Sequence, residues 1–201
     1  MGRDKAALRL GGRSLLAHIR RTATRAGWPV RVVRRDIVPC CGPLGGVYSG
    51  LKLSQASAVL FLSCDMPFVS PQLLAKVLAA LPARELAAFV LHSERHSRDE
   101  GTVKERGIHS ATTPKRNEFR TPPRDRLSER VGFPFVVRCE ALPLVERLLG
   151  EKRFALQDLA ASLNAKRIRL AKPFEGELFN INTPGDWQRA RELWRRFESK
   201  E

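Results

Sequence analysis

The apolar positions of this chain recur in two ways, at helical spacing and in short unbroken runs. Ser14 follows Gly11-Gly12 and stands where a helix N-cap belongs. Leu15, Leu16, Ile19 and Ala23 then recur at helical spacing until Gly27. Val30 to Val33 predicts a short strand. Gly42-Pro43-Leu44-Gly45-Gly46 predicts a turn, with a small-residue helix after it through Leu53. Ala58 to Ser63 is almost wholly apolar, which predicts a strand buried on both faces, as in a parallel sheet. Ser70-Pro71 opens a helix whose stripe is Leu73, Leu74, Val77, Leu78 and Leu81. Ala87 to Leu91 predicts another buried strand.

Beyond this point the pattern fails. From His92 to Arg130 apolar residues are sparse, and Phe119 is the sole aromatic. Ten basic and seven acidic residues leave this stretch at a net +3. It has too little apolar surface to offset the entropy of ordering it, so a mostly disordered insertion is expected at about 92–130. Order resumes with a strand at Phe133 to Val137, helices at Leu142 to Leu149 and Phe154 to Leu163, and a short strand at Lys166 to Leu170. Leu178 to Ile181 predicts a last strand. Thr183-Pro184-Gly185-Asp186 then starts a helix as N-cap, N1, N2 and N3, with an apolar stripe of Trp187, Ala190, Trp194 and Phe197. Strands alternating with helices predict a single α/β domain over 1–201, with ligands at the carboxyl ends of its strands.

Composition narrows the class. The 201 residues are 43% hydrophobic, enough for a core. No window approaches the ~20 apolar residues of a membrane-spanning helix. The first residues carry no apolar core of a signal peptide, so a cytoplasmic setting is expected. The formal charge of +15 draws polyanions: nucleic acid, nucleotides, phosphorylated metabolites or an acidic membrane surface. Cys40, Cys41, Cys64 and Cys139 form no zinc spacing and read as reduced thiols, the adjacent pair exposed beside a turn.

Four segments carry candidate chemistry. Asp65 follows a buried strand in Ser63-Cys64-Asp65-Met66-Pro67-Phe68. A carboxylate there can hold Mg²⁺, which needs one or two carboxylates plus phosphates and water. The plainer role is a strand-end turn with Asp65 capping backbone amides. Lys5, in Gly2-Arg3-Asp4-Lys5, can neutralise phosphate oxygens, or be a solvated terminal charge. Asp36 precedes the closely set glycines Gly42, Gly45 and Gly46, which let backbone approach a ligand. A carboxylate there can accept the N1 and N2 protons of guanine; a plain turn with a surface charge is the alternative. In Phe179-Asn180-Ile181-Asn182-Thr183-Pro184, alternation puts Asn180 and Asn182 on one side, where two amides can bond a polar heterocycle or satisfy loop backbone.

Together, Met-Gly-x-Asp-Lys, Asp…Gly-Pro-Leu-x-Gly, Cys-Asp-Met-Pro-Phe and Phe-Asn-Ile-Asn-Thr-Pro resemble the molybdenum cofactor guanylyltransferases, the MobA-like branch of the nucleotidyltransferases. The resemblance covers Met1 to about Leu91 and Val131 to about Phe197. It implies a Rossmann-like three-layer α/β/α sandwich with a mostly parallel sheet, of the nucleotide-diphospho-sugar transferase type. It also implies transfer of GMP from MgGTP to the phosphate of molybdopterin, with release of pyrophosphate. By match, Lys5 takes the phosphate-binding position, Asp36 the guanine-contacting one with Gly45 beside it, and Asp65 that of the Mg²⁺ ligand. Asn180 and Asn182 fall on the motif for the pterin acceptor. GTP, molybdopterin or Mo-molybdopterin, and molybdopterin-delivery proteins are the implied partners.

The family pattern starts further upstream, with a buried strand and Leu-Ala-Gly-Gly-x-Ser-x-Arg. Here Met1 falls on the methionine of the motif's tail. The expectation is therefore a misassigned start, with a central strand and most of the glycine-rich phosphate loop absent and sheet edges exposed. A decayed, inactive copy is the alternative. In 92–130 the insertion replaces a shorter connection. A metal site at His92, His96 and His109 is not expected there, because no helical pattern holds two imidazoles on one face. Two other functions compete. One is cytidylyl or sugar-phosphate transfer on the same fold. The other is nucleic-acid binding by Arg189, Arg191, Arg195 and Arg196 of the last helix. It is disfavoured because Trp187, Trp194 and Phe197 share that helix's apolar face, leaving no stacking platform.

Overall fold

The computed structural model describes residues 5–93 and 129–198. A four-stranded sheet lies at its centre, in the order β3-β5-β4-β6. Its strands are β3 (Ala58–Phe61), β4 (Ala87–Ser93), β5 (Glu129–Arg138) and β6 (Lys166–Ile168). β3 and β4 both pair antiparallel with β5, and β4 pairs parallel with β6. Three of the four strands therefore share one direction and β5 is reversed. A separate two-stranded hairpin joins β1 (Arg9–Leu10) to β2 (Arg13–Ser14).

Strand alternation sorts the core into two layers. Ala87, Phe89, Phe135 and Val137 face Leu44, Val47 and Leu51 of α2 (Gly42–Lys52), Val145 and Leu148 of α4 (Leu142–Gly150), and Leu159 of α5 (Leu156–Ser162). Ala88, Val90 and Val136 face Ile19 of α1 (Leu15–Arg25) and Leu73, Leu74 and Val77 of α3 (Pro71–Ala79). Each of those three α3 side chains is fully buried. At ~1.5–3 kcal/mol apiece, that stripe outweighs the helix's intrinsic propensity. α6 (Lys172–Glu175) lies against the second layer through Phe174, and α7 (Pro184–Glu198) packs on the hairpin.

Most predicted elements are present, with bounds set by hydrogen bonding. Ser14 caps α1, its hydroxyl accepting from the Ala17 N–H, and Ser70 caps α3 in the same way through Leu73. Four expectations change. Val30 to Val33 pairs with no strand, and Leu178 to Ile181 is a 3-10 turn followed by irregular chain. Neither segment finds a ladder partner among the described residues, so apolar content alone does not make it a strand. The glycines at 42–46 are not a turn before a helix but the first turns of α2 itself, with Pro43 at a position that needs no N–H. The strand buried on both faces is not Ala58 to Ser63: all four β3 residues remain half-buried. Among the described residues, β3 pairs on one edge only. Double burial falls to β4 and β5, where Ala87 to Val90 and Phe135 to Val137 are closed off on both sides.

Of the expected insertion, 94–128 lies outside the described residues, as do His96 and His109. Its two ends are ordered strand: His92 pairs with Arg130 and Ser93 with Glu129. The His92 Nε2–H donates to the Phe133 carbonyl (2.8 Å), and burial lowers the His92 pKa. The cysteine pair also differs from expectation, since Cys40 is exposed but Cys41 is buried. No described helix is long and apolar enough to cross a membrane.

Candidate functional site

The site lies beyond the carboxyl end of β3. The chain leaves the sheet after Phe61 and turns through Ser63 to Asp65. Phe68, three residues on, packs against Phe179 (6.1 Å between ring centres). Leu10, Leu15, Ile181 and Ala190 form a small core of their own there, with Phe68, Phe179, Trp187 and Trp194 around it. That core holds the distant 179–182 segment against the Asp65 turn. One backbone bond, from the Ile181 N–H to the Asp65 carbonyl (2.9 Å), fixes the register.

Three predicted residues meet there. The Lys5 ammonium donates to Asn182 Oδ1 (3.0 Å) and lies 3.9 Å from Asp65 Oδ2. The Ser63 hydroxyl donates to the other Asp65 oxygen. Lys5 is therefore not a solvated terminal charge. Among the described residues Asp65 caps no backbone amide; its carboxylate accepts from a hydroxyl and faces a cation. Lys5 and Asp65 side chains are 32% and 16% exposed, so both can reach a ligand from solvent. Asn180 is exposed on the same side as Asn182, while Ile181 is buried, so the expected alternation holds without strand pairing. Residues 1–4, which carry the rest of the Met-Gly-x-Asp-Lys motif, lie outside the described residues.

Asp36 is held separately, over the first turns of α2. The Ile37 N–H donates to the Ser49 hydroxyl (2.8 Å), which in turn donates to the Gly45 carbonyl (2.8 Å). A Cβ at Gly45 would lie 2.9 Å from Asp36 Oδ2 and 3.0 Å from the Val38 carbonyl. The space that glycine frees at 45 is thus taken by the Asp36 loop. Gly45 acts here by letting Asp36 close onto the helix. α2 leads into β3 through the short connection 53–57. Ser49 and Ser63 are the positioning residues that sequence reading missed. Ser63 sits two residues before Asp65, and only the strand-end bend brings it round.

The turn that carries Asn182 is locked by a helix cap. The Thr183 hydroxyl accepts from the Asp186 N–H (3.1 Å), and Asp186 Oδ2 accepts from the N–H groups of Thr183 (2.8 Å) and Asn182 (3.0 Å). Burial by itself would raise the Asp186 pKa. The bonds from Thr183 and Asn182, with the Arg189 charge, outweigh it and hold the pKa below the usual value. A depressed folded-state pKa means the cap's stabilisation is present above the unfolded pKa of ~3.9 and is lost as pH falls through the folded value. Asp186→Ala is expected to cost about 1 kcal/mol at neutral pH. The gap between the urea midpoints of the two proteins should narrow between neutral and strongly acid pH, as Asp186 becomes protonated in the folded state too. Equal gaps at both pH values would reject this role.

No group of three His, Cys, Asp or Glu side chains able to hold a metal ion occurs among the described residues. The donor set does fit Mg²⁺, which keeps its water and takes phosphate oxygens beside a single carboxylate. Asp65 is the residue that would hold it.

Helices on both faces of a sheet, with charged side chains beyond strand carboxyl ends, define a Rossmann-like three-layer α/β/α protein. A family model described as the MobA-like NTP transferase domain matches residues 1–167. The chain belongs to that nucleotidyltransferase family. It is 30% identical over 116 residues to a molybdenum cofactor guanylyltransferase of Pseudomonas putida (strain GB-1), covering 46% of this chain and 57% of that protein. The chain thus spans little more than half the length of that relative. Among solved structures it is similar to the molybdopterin-guanine dinucleotide biosynthesis protein A of Archaeoglobus fulgidus, with a TM-score of 0.59, 15% identity, and coverage of 97% of this chain and 92% of that one. It is also similar to the 4-diphosphocytidyl-2C-methyl-D-erythritol synthase of Anaerococcus prevotii, with a TM-score of 0.64, 17% identity, and coverage of 95% and 93%. At such identities the two structures speak for the fold alone. Asn180, Asn182 and the whole of α7 lie beyond the matched segment.

Proposed function

We propose that this protein transfers GMP from MgGTP to the phosphate of molybdopterin, releasing pyrophosphate, within one domain that spans the chain. The meeting of Lys5, Asp65 and Asn182 from three distant parts of the sequence carries this reading. The acceptor phosphate is already an anionic nucleophile, so the chemistry needs charge neutralisation and in-line placement more than a general base. Bound at Asp65, Mg²⁺ would supply Lewis-acid polarisation of the α-phosphate. Lys5 neutralises phosphate oxygens with its ammonium, and its bond to Asn182 ties that charge to the acceptor side. Asp36, fixed over α2, accepts from the guanine N1 and N2 protons. Asn180 and Asn182 offer amides to the pterin. A delivery protein for molybdopterin and a cytoplasmic setting accompany this reading.

A thermal melt with MgGTP, with MgCTP as control, tests it. Ligand at about 100 times its Kd adds ~2.7 kcal/mol to the native state. For a domain of this size that raises Tm by roughly 5–10 °C. The shift is expected with GTP alone. An equal or larger shift with CTP would move the assignment to cytidylyl transfer. No shift with either would remove the nucleotide site from this chain.

A further inference from the structure

We infer that Ser49 sets which base the nucleotide site accepts, by fixing the Asp36 carboxylate over α2; the inference rests on the guanylyl-transfer reading. The chain from 28 to 39 contains no helix or strand. Among the described residues a single hydrogen bond ties it to another element, from the Ile37 N–H to the Ser49 hydroxyl of α2 (2.8 Å). The Ile37 nitrogen is bonded to the Asp36 carbonyl carbon, so this bond fixes the peptide plane from which Asp36 projects. Ser49 and His18 are the buried polar side chains among the described residues, and Ser49 is fully closed off from solvent. Its hydroxyl proton is committed to the Gly45 carbonyl, one turn back (2.8 Å). The oxygen lone pairs are thereby left for the Ile37 N–H, and the three groups form one directed relay.

The carboxylate itself lies across two glycines. A Cβ at Gly45 would lie 2.9 Å from Asp36 Oδ2, and one at Gly46 would lie 3.7 Å from Oδ1. Neither oxygen accepts a hydrogen bond or meets a cation among the described residues, so both stay available to a ligand. A carboxylate takes the N1 and N2 protons of guanine as a pair in one orientation only. A swing of the 28–39 segment would keep the charge near the base and lose the second bond. Hypoxanthine offers the N1 proton without an N2 amino group, so it loses less from such a swing than guanine does. Ser49 acts through Asp36 and is a positioning residue.

Calorimetric titration of MgGTP and MgITP into the full chain tests this, with Asp36→Asn as the reference variant. The wild-type chain is expected to favour GTP over ITP by about tenfold, and Asp36→Asn should abolish that preference. Ser49→Ala should lower the preference about fivefold and leave the affinity for Mg²⁺-tripolyphosphate, which carries no base, unchanged. A merely structural role would weaken both nucleotides alike and leave their ratio as in wild type. Ser49→Cys, which keeps the shape of the side chain and accepts poorly, should move the ratio the same way, and it stands in if the alanine variant does not fold. A wild-type ratio in the Ser49 variant overturns the inference and leaves the guanylyl-transfer reading in place. A preference that survives Asp36→Asn overturns it as well. A wild-type chain that binds neither nucleotide, or both equally, overturns that reading and the inference with it.

Discussion

Asp65→Ala is expected to lower nucleotidyl transfer by about 10³-fold or more while leaving the protein folded. A metal ion on this carboxylate is asked for several kcal/mol of transition-state charge stabilisation, and ~4 kcal/mol corresponds to that factor. The structural cost is small by comparison. The Lys5–Asp65 pair is 3.9 Å apart, at the limit of direct ion-pair contact, and partly exposed, so about 1 kcal/mol is expected from it. The Ser63 hydroxyl loses an acceptor but can turn to water. Tm should therefore move by no more than ~2–4 °C. Asp65→Asn separates charge from shape, since the amide oxygen still accepts from Ser63 but binds a divalent ion poorly. It should be nearly as inactive as the alanine variant. Transfer within tenfold of wild type in either variant would show that Asp65 is not the metal-holding group.

The largest loss of stability is expected from Phe135→Ala. Phe135 is fully buried on β5, between the strands on either side. Its ring stacks on Phe89 of β4 (4.4 Å) and on Phe61 of β3 (5.1 Å). Truncation removes the middle of a three-ring stack and leaves a cavity that rigid strands cannot close. Such changes cost ~3–5 kcal/mol, a large part of the ~5–15 kcal/mol that holds a domain together. A fall in Tm of roughly 6–20 °C follows. The effect reaches the site because β3, which ends in the turn to Asp65, pairs with β5 alone among the described strands. Nucleotide binding should weaken before global unfolding. A cost below about 1 kcal/mol in urea melts would mean that the stack is not the keystone of the sheet.

Much of this protein was legible in its sequence, for physical reasons that differ by element. The caps at Ser14, Ser70 and Thr183 are local: a hydroxyl and an N–H three residues on are close in any helix start. The stripes of α1 and α3 follow from helical period, and the alternation of Asn180 and Asn182 with Ile181 follows from an extended backbone. Lys5, Asp36 and Asp65 stood out because motif spacing marked them, and sequence order alone put Asp65 at a strand end.

What the sequence left open depends on partners far along the chain. Val30 to Val33 and Leu178 to Ile181 have strand-like composition, yet a strand exists only where a neighbour offers a ladder. The difference between β3 and β4 is one of position in the sheet. Both runs are apolar, but among the described strands β4 is flanked by β5 and β6 and β3 by β5 alone. The function of Gly45 could not be read locally either, since the atom that fills its missing Cβ belongs to Asp36. Most of all, only the tertiary structure brought Lys5 to Asn182, 177 residues away. That contact rests on a backbone bond from Ile181 to Asp65 and a small core around it, and no local rule of propensity or period reaches across such a distance. The sequence by itself determined which side chains carry the charge, the helix starts and the apolar stripes. Which of those side chains meet was decided by packing alone.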